Sequence, residues 1–295
     1  MTDGAARADY GIDAPGVIRN LAITAVCGLA VFATAAVGWW SGFIHVPFGS
    51  IDVQVGLAPT GLGLGLVCGG IAASMLWSSI FGKLRAREKL LDLIPLSGDE
   101  RVLDVGCGRG LMLIGAAHRL RTGRAVGIDI WRSEDLSDNR AASTLDNARA
   151  EGVVDRVEVQ TADMRRLPFP DGSFDAIVSR FAIHNLDHAA DRAQAIREIA
   201  RVLKPGGFVG ILEFSEPGSG LLASAFRFYF RRILPRVGAL VSGSSEAYSY
   251  LPASVGRFPA ANELAALMEQ CGFADASFVA WNFGSVLLHT GRRVS

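Results

Sequence analysis

Three short runs place acids and glycines where small-ligand chemistry needs them. Asp104-Val-Gly106-Cys107-Gly108-Arg109-Gly110 sets three glycines behind a carboxylate. Glycine at such points permits positive φ and close approach of backbone to a ligand. Asp129 closes a second apolar run, where a carboxylate can accept both hydroxyls of a ribose. Ala162-Asp163-Met164 offers a polar contact beside an apolar face for a purine. The dinucleotide fingerprint needs its third glycine where Leu111 stands, so a pyrophosphate grip is disfavoured. Further on, Arg180-Phe-Ala-Ile-His184-Asn185 supplies a histidine, the side chain best suited to proton transfer near neutrality. His184 reads either as a general base for a hydroxyl proton or as a loop cap that orients Asn185. His188 lies four residues on, but Asn185 stands where an H-E-x-x-H helix needs Glu, so no metal site is expected. Cys107 reads as a packing residue rather than a nucleophile.

Alternating strands and helices must position these residues. Strands are expected at Arg101–Gly106, Arg124–Ile130, Val157–Thr161, Phe174–Ser179 and Gly207–Phe214. Between them the spacing predicts helices over Leu111–Leu120, Leu136–Glu151 and Ala189–Leu203, the last stopped by Pro205-Gly206-Gly207. Such alternation predicts an α/β fold with a mainly parallel sheet covered on both faces. Ligands in these sheets bind at the carboxyl ends of the strands. Asp104, Asp129, Asp163 and His184 follow successive strands, so all four fall on that edge.

The N-terminal 82 residues are different material. No Asp, Glu, Lys or Arg lies between Arg19 and Asp52, nor between Asp52 and Lys83. Each gap exceeds the roughly 20 residues a helix needs to cross hydrocarbon. Spans are placed near Leu21–Trp40 and Leu57–Phe81, with Trp39, Trp40 and Trp77 toward their ends. Gly61, Gly65 and Gly69 share one face of the second span and predict close helix packing in a hairpin. Buried core helices and a cleaved signal peptide are the alternatives; Asp3, Asp9 and Asp13 in the leader argue against the latter. Arg7 and Arg19 precede the hairpin and Lys83, Arg85, Arg87 and Lys89 follow it, whereas Ser41–Gly56 holds no basic residue. That asymmetry predicts both termini on the cytoplasmic side of a membrane.

Composition narrows the class. Formal net charge is zero, with 29 basic and 29 acidic side chains, which does not suit a nucleic-acid binder. Half the residues are hydrophobic, which excludes a disordered chain. The four cysteines are far apart, which excludes a disulfide scaffold.

The strings VLDVGCGRG, GIDI, ADMRRLPFPDGSFDAIVS and EIARVLKPGGFVGILEF resemble the class I S-adenosylmethionine-dependent methyltransferases in order and spacing over Asp99–Phe214. The resemblance implies a Rossmann-like seven-stranded sheet, with an antiparallel strand at Gly284–Gly291. It implies S-adenosyl-L-methionine as cofactor, with Asp104, Gly106, Cys107, Gly108 and Gly110 around its methionine part and Asp129 with Ile130 at the ribose. Asp163 and Met164 would flank the adenine, and Ser179 and Arg180 would close the cofactor side. A narrower resemblance, through FYFRRILPRVGALVSG, AYSYLPASVGRFPAANELAALMEQCGF and FGSVLLHTG, is to the ubiquinone/menaquinone biosynthesis C-methyltransferases. Three departures from that family stand out: the hairpin, Arg109 in place of a small hydroxyl residue, and His184 within a run that there reads Ser-Phe-Gly-Leu-Arg-Asn.

The resemblance implies a lipophilic acceptor, a quinol or phenolic prenyl lipid. A phospholipid amine, or a non-catalytic cofactor-binding membrane scaffold, are the other readings. Residues 1–82 are expected to form a tail and anchor, and 83–295 the methyltransferase domain with a helical lid near 215–260. Arg227, Arg231, Arg232 and Arg236 interleave there with aromatic residues, as suits a lid at a bilayer surface. His184, Asn185, Tyr248 and Tyr250 are expected to line the acceptor pocket.

Overall fold

The protein was described from a computed structural model, which places residues 7–48, 51–132, 139–215, 224, 257–281 and 284–294. The chain divides into two compact units. Ile12–Lys83 form one; among the described residues, those up to Gly11 group with those from Leu84 onward in the other. The sequence reading puts 1–82 together, whereas the described residues 7–11 group with the α/β unit.

In the α/β unit, short apolar runs become strands, those at the sheet centre buried on both faces. These are β3 (Arg101–Val105), β4 (Arg124–Asp129), β5 (Val157–Thr161), β6 (Phe174–Arg180), β7 (Leu203–Phe214), β8 (Phe273–Trp281) and β9 (Val286–Arg293). They form one seven-stranded sheet in the order β5-β4-β3-β6-β7-β9-β8. β3 to β7 are mutually parallel and β9 runs antiparallel between β7 and β8. On one face, Leu90 and Leu91 of α3 (Lys83–Leu91), Met112 and Leu113 of α4 (Leu111–Arg119) and Ala148 of α5 (Ala141–Ala150) share a core. On the other, Ile196 and Ile199 of α6 (Ala189–Val202) pack with Leu264 and Met268 of α7 (Ala261–Gln270). The chain leaves β3 toward β4 and β5 and later returns to β6 on the other side of β3. The strand order reverses there, and the carboxyl ends of β3 and β6 flank the crevice. The predicted alternation is observed. The edge strand β8 has no counterpart in the sequence reading, and α5 begins at Ala141.

The second unit contains α1 (Pro15–Ala36), β1 (Phe43–Phe48), β2 (Ile51–Gly56) and α2 (Leu57–Trp77). α1 starts earlier than expected because Pro15 sits at its first turn, and it stops before Gly38, which takes φ +83°. The stretch expected as a loop is a two-stranded ribbon, with Val46 opposite Val53. Helix packing follows the glycines: a Cβ at Gly28 would lie 2.5 Å from the Gly61 carbonyl oxygen, and one at Gly65 would strike Leu29. Asp13 closes the base, its N–H donating to Ser79 Oγ at 3.1 Å and its carboxylate 3.9 Å from Lys83 Nζ. Both helices are long and apolar enough to cross a membrane, and Val26, Leu66 and Val67 point outward.

Candidate active site

The β3 end turns on glycines because only they fit. Gly106, Gly108 and Gly110 take φ of +75°, +49° and +87°. A Cβ on Gly106 would overlap the Cβ of Ala182, and one on Gly110 would lie 2.8 Å from Thr144 Cγ2. The amides of Gly106 and Cys107 both donate to the Ile128 carbonyl at 2.9 Å, locking the loop to β4. Asp129, at the β4 end, accepts from Gly108 N–H at 2.9 Å and from Trp131 N–H at 2.7 Å. Asn139 Nδ2 adds a third bond to Asp129 at 3.2 Å. From α5, Thr144 Oγ1 donates to the Gly108 carbonyl and Asn147 Nδ2 to that of Arg109.

Asp104 is 2% exposed. Its Oδ2 accepts from Leu113 N–H at 2.9 Å, and its Oδ1 has no hydrogen-bond partner among the described residues. Burial pushes its carboxyl up to about 7, with the nearby Asp129 charge adding to the rise and Arg180 opposing it. Burial also pushes the Cys107 thiol well up, with Asp104 and Asp129 contributing, as befits a packing residue. An orphaned buried carboxylate oxygen beside a glycine cradle suits a ligand bearing a cation.

Beyond β5, the Asp163 carboxylate is gripped by Arg165 Nη2 at 2.6 Å, which holds its pKa below the usual range. Met164 packs partly buried against the core, and its methyl lies 3.9 Å from where a Gly106 Cβ would be. Ile130 is exposed at the same edge. Two residues were not anticipated. Trp131 takes φ +59°, with its Nε1 donating to Thr161 Oγ1 at 2.8 Å, and Asn139 is buried on Asp129. An aromatic two residues after the strand-end acid was the available signal for Trp131.

On the β6 side, Ser179 lies inside the sheet, its hydroxyl donating to the Val105 carbonyl at 2.9 Å. Ser179 is thus buried beside the carboxyl end of β3. The Arg180 guanidinium sits 4.4 Å from the Phe181 ring centroid, and that ring stacks at 3.9 Å on Phe214. A 3₁₀ turn, Ile183–Asn185, follows and carries His184, which is 7% exposed. His184 Nδ1 lies 2.8 Å from Glu213 Oε2. Glu213 is wholly buried, and its Oε1 accepts the amides of Ala182 and Ile183 at 3.0 and 2.7 Å. Glu213 was not singled out from the sequence. Asn185 is on the same turn, its amide donating to Ala182. Tyr248, Tyr250, the lid arginines and most of 215–260 lie outside the described residues.

One more segment reaches this loop. Arg109 Nη2 bonds Asp9 Oδ2 at 2.8 Å, and Asn147 pairs with the Asp9 backbone through both its amide groups. Tyr10 donates to Glu151 at 2.7 Å and is partly buried on the core. Arg109, unusual at its position in the sequence, thus has a partner from the opposite end of the chain.

The sheet order and the glycine cradle are those of the Rossmann-like methyltransferase fold. The phosphoethanolamine N-methyltransferase 2 of Haemonchus contortus, solved with S-adenosyl-L-methionine, shares the fold at TM-score 0.52 and 16% identity, over 72% of this chain and 53% of that one. Residues 79–293 match the ubiE/COQ5 methyltransferase family, and the chain belongs to it. It is 37% identical to the demethylmenaquinone methyltransferase of Thermus thermophilus, over 71% of this chain and 90% of that protein. It is also 37% identical to the ubiquinone/menaquinone biosynthesis C-methyltransferase UbiE of Geobacter sulfurreducens, over 71% and 78%. When bound, S-adenosylmethionine supplies a methyl group already activated on a sulfonium. The chain's own task is alignment of the acceptor, exclusion of water and handling of a proton.

Proposed function

We propose a membrane-anchored C-methyltransferase acting on a quinol or phenolic prenyl lipid at the cytoplasmic face. The observation that carries this reading is the match to quinone C-methyltransferases, which runs through the acceptor edge to residue 293. Two helices long enough to cross hydrocarbon, flanked by basic residues and joined by a ribbon with none, support the anchor and its orientation. In this reading the backbone of Gly106, Cys107, Gly108 and Gly110 lies against the methionine part, and the Asp104 carboxylate faces its ammonium. Asp129 takes the ribose, for which its carboxylate keeps one of about four lone-pair sites beyond the bonds from Gly108, Trp131 and Asn139. Asp163, Met164 and Ile130 bound the adenine, with Arg180 at the methyl end. His184 takes the acceptor hydroxyl proton, and Asn185, Tyr248 and Tyr250 line the acceptor pocket.

The test is reconstitution of the full chain in vesicles with methyl-labelled cofactor, offering a demethylmenaquinol and phosphatidylethanolamine together. Label should appear on the quinol ring carbon. Label on the phospholipid alone would replace the acceptor, and none on either would favour a scaffold. Reporters at both chain ends should be cytoplasmic; a C-terminal reporter in the outer compartment would sink the anchor.

A further inference from the structure

We propose that Glu213 is a positioning residue that makes His184 a base of defined direction. This rests on the methyltransferase reading of the acceptor edge. Glu213 is the penultimate residue of β7, and its carboxylate is the hub of the turn that follows β6. It accepts from three consecutive residues: the amides of Ala182 and Ile183, and Nδ1 of His184. A fully buried carboxylate needs such a set of donors to stay charged. An ionised carboxylate only accepts, so the ring proton sits on Nδ1 and the lone pair on Nε2. Phe214 packs edge-on to the ring at 5.3 Å and fixes its tilt. Among the described residues, the charged surroundings of His184 are Glu213 and, through Glu213, His289 of β9. Burial lowers the His289 pKa, its Nε2 is bonded to the Ala261 carbonyl, and it stays neutral at physiological pH. Glu213 is therefore the one carboxylate at hand to stabilise a protonated His184.

The step balances as follows. His184 Nε2 forms a bond to the acceptor hydroxyl proton as the O–H bond breaks. The freed electron pair moves into the ring, and the adjacent ring carbon takes the methyl as the carbon–sulfur bond breaks toward neutral thioether. Loss of that carbon's hydrogen to water restores aromaticity, and the proton on His184 returns to the oxygen.

Three variants of the full chain in vesicles test this. Glu213→Gln keeps the shape and removes the charge; kcat should fall on the order of 10-fold or more, with cofactor affinity and KM nearly unchanged. The acid limb of its kcat–pH profile should move to lower pH, because the protonated ring loses its counter-charge. His184→Gln keeps a donor that can face Glu213 and removes the base; it should fold, bind cofactor and lose roughly 10²-fold in kcat with no acid limb. Glu213→Asp should recover part of the Gln loss. Nitrogen-15 NMR of His-labelled wild type, which needs no acceptor, should show His184 protonated at Nδ1 when neutral. An Nε2-protonated ring, or an unaltered pH profile in Glu213→Gln, overturns the proposal. Absence of quinol methylation by wild type instead overturns the functional reading, and the NMR result still decides the role of Glu213.

Discussion

Two buried carboxylates stand at the carboxyl edge of the same sheet, and their environments differ. Among the described residues, Glu213 takes three protein donors; Asp104 takes one, and its second oxygen has no hydrogen-bond partner. A buried carboxylate with complete partners belongs to the scaffold and can orient another side chain. One left incomplete is pushed toward neutrality and stays ready for a partner from outside the chain. In the proposed reading the acceptor edge is preassembled, while the cofactor edge is finished by its ligand. Gly106 is where the two halves meet, since its missing Cβ is what lets β3 close on Ala182 of the Glu213 turn.

Separating the halves should have the largest effect. Gly106→Ala forces a side chain into left-handed backbone and into Ala182, at a cost of about 2–5 kcal/mol of stability. Denaturant unfolding should register that loss, and cofactor binding should disappear with it. Unchanged stability would mean that the halves are not in tight contact.

Next in size is the cofactor half alone. Asp129→Ala removes the acceptor for Gly108 and Trp131 as well as for the ribose, and cofactor affinity should weaken by about 2–4 kcal/mol in calorimetry. The Nδ1-protonated signature of His184 should persist in this variant. Unaltered affinity would take Asp129 out of the site.

Asp104 gives the comparison a pH signature. An unfolded aspartate titrates near 4 by roughly the model-peptide value, whereas the folded one is pushed up to about 7. Between those values the folded chain holds a proton that the unfolded chain has released. This contribution to stability is full below the lower value and is lost as pH rises toward the upper one. Binding of a cationic ligand reverses the preference and expels the proton. Cofactor affinity should therefore climb by up to about tenfold per pH unit below 7 and level off above it. Asp104→Asn should flatten this rise, and a persistent slope would assign it to another group.

Much of the cofactor half was readable because its residues are local: a strand, a turn and a helix start within Asp104–Leu111 carry it. The alternation of strands and helices was readable for the same reason. Glu213 was not, because Ile211-Leu-Glu213-Phe214 looks like any strand end and its partner lies 29 residues earlier. β8 was missed because it is an edge strand with mostly exposed or half-exposed side chains, so no buried period marks it. The β1–β2 ribbon was hidden between two spans whose lack of charge dominates the pattern. The Asp9 contacts join residues 138 positions apart, across the whole hairpin, and no spacing rule reaches that far.

Those contacts supply the smallest and most selective prediction. Asp9 reaches the glycine loop and α5 through Arg109 and Asn147. Its side chain is largely exposed, so the ion pair is screened and worth about 0.2–1 kcal/mol. Asp9→Ala should weaken cofactor binding about threefold, the equivalent of such a pair. Added salt should shrink the difference between variant and wild type, because exposed charges are screened. Asn147→Ala should do more, since it frees the carbonyls of both Asp9 and Arg109. Neither change should move the acid limb of the kcat–pH profile, which the proposal assigns to the acceptor side. A shift of that limb in Asp9→Ala would show that the two halves respond together, and the division between a preassembled edge and a ligand-completed one would fail.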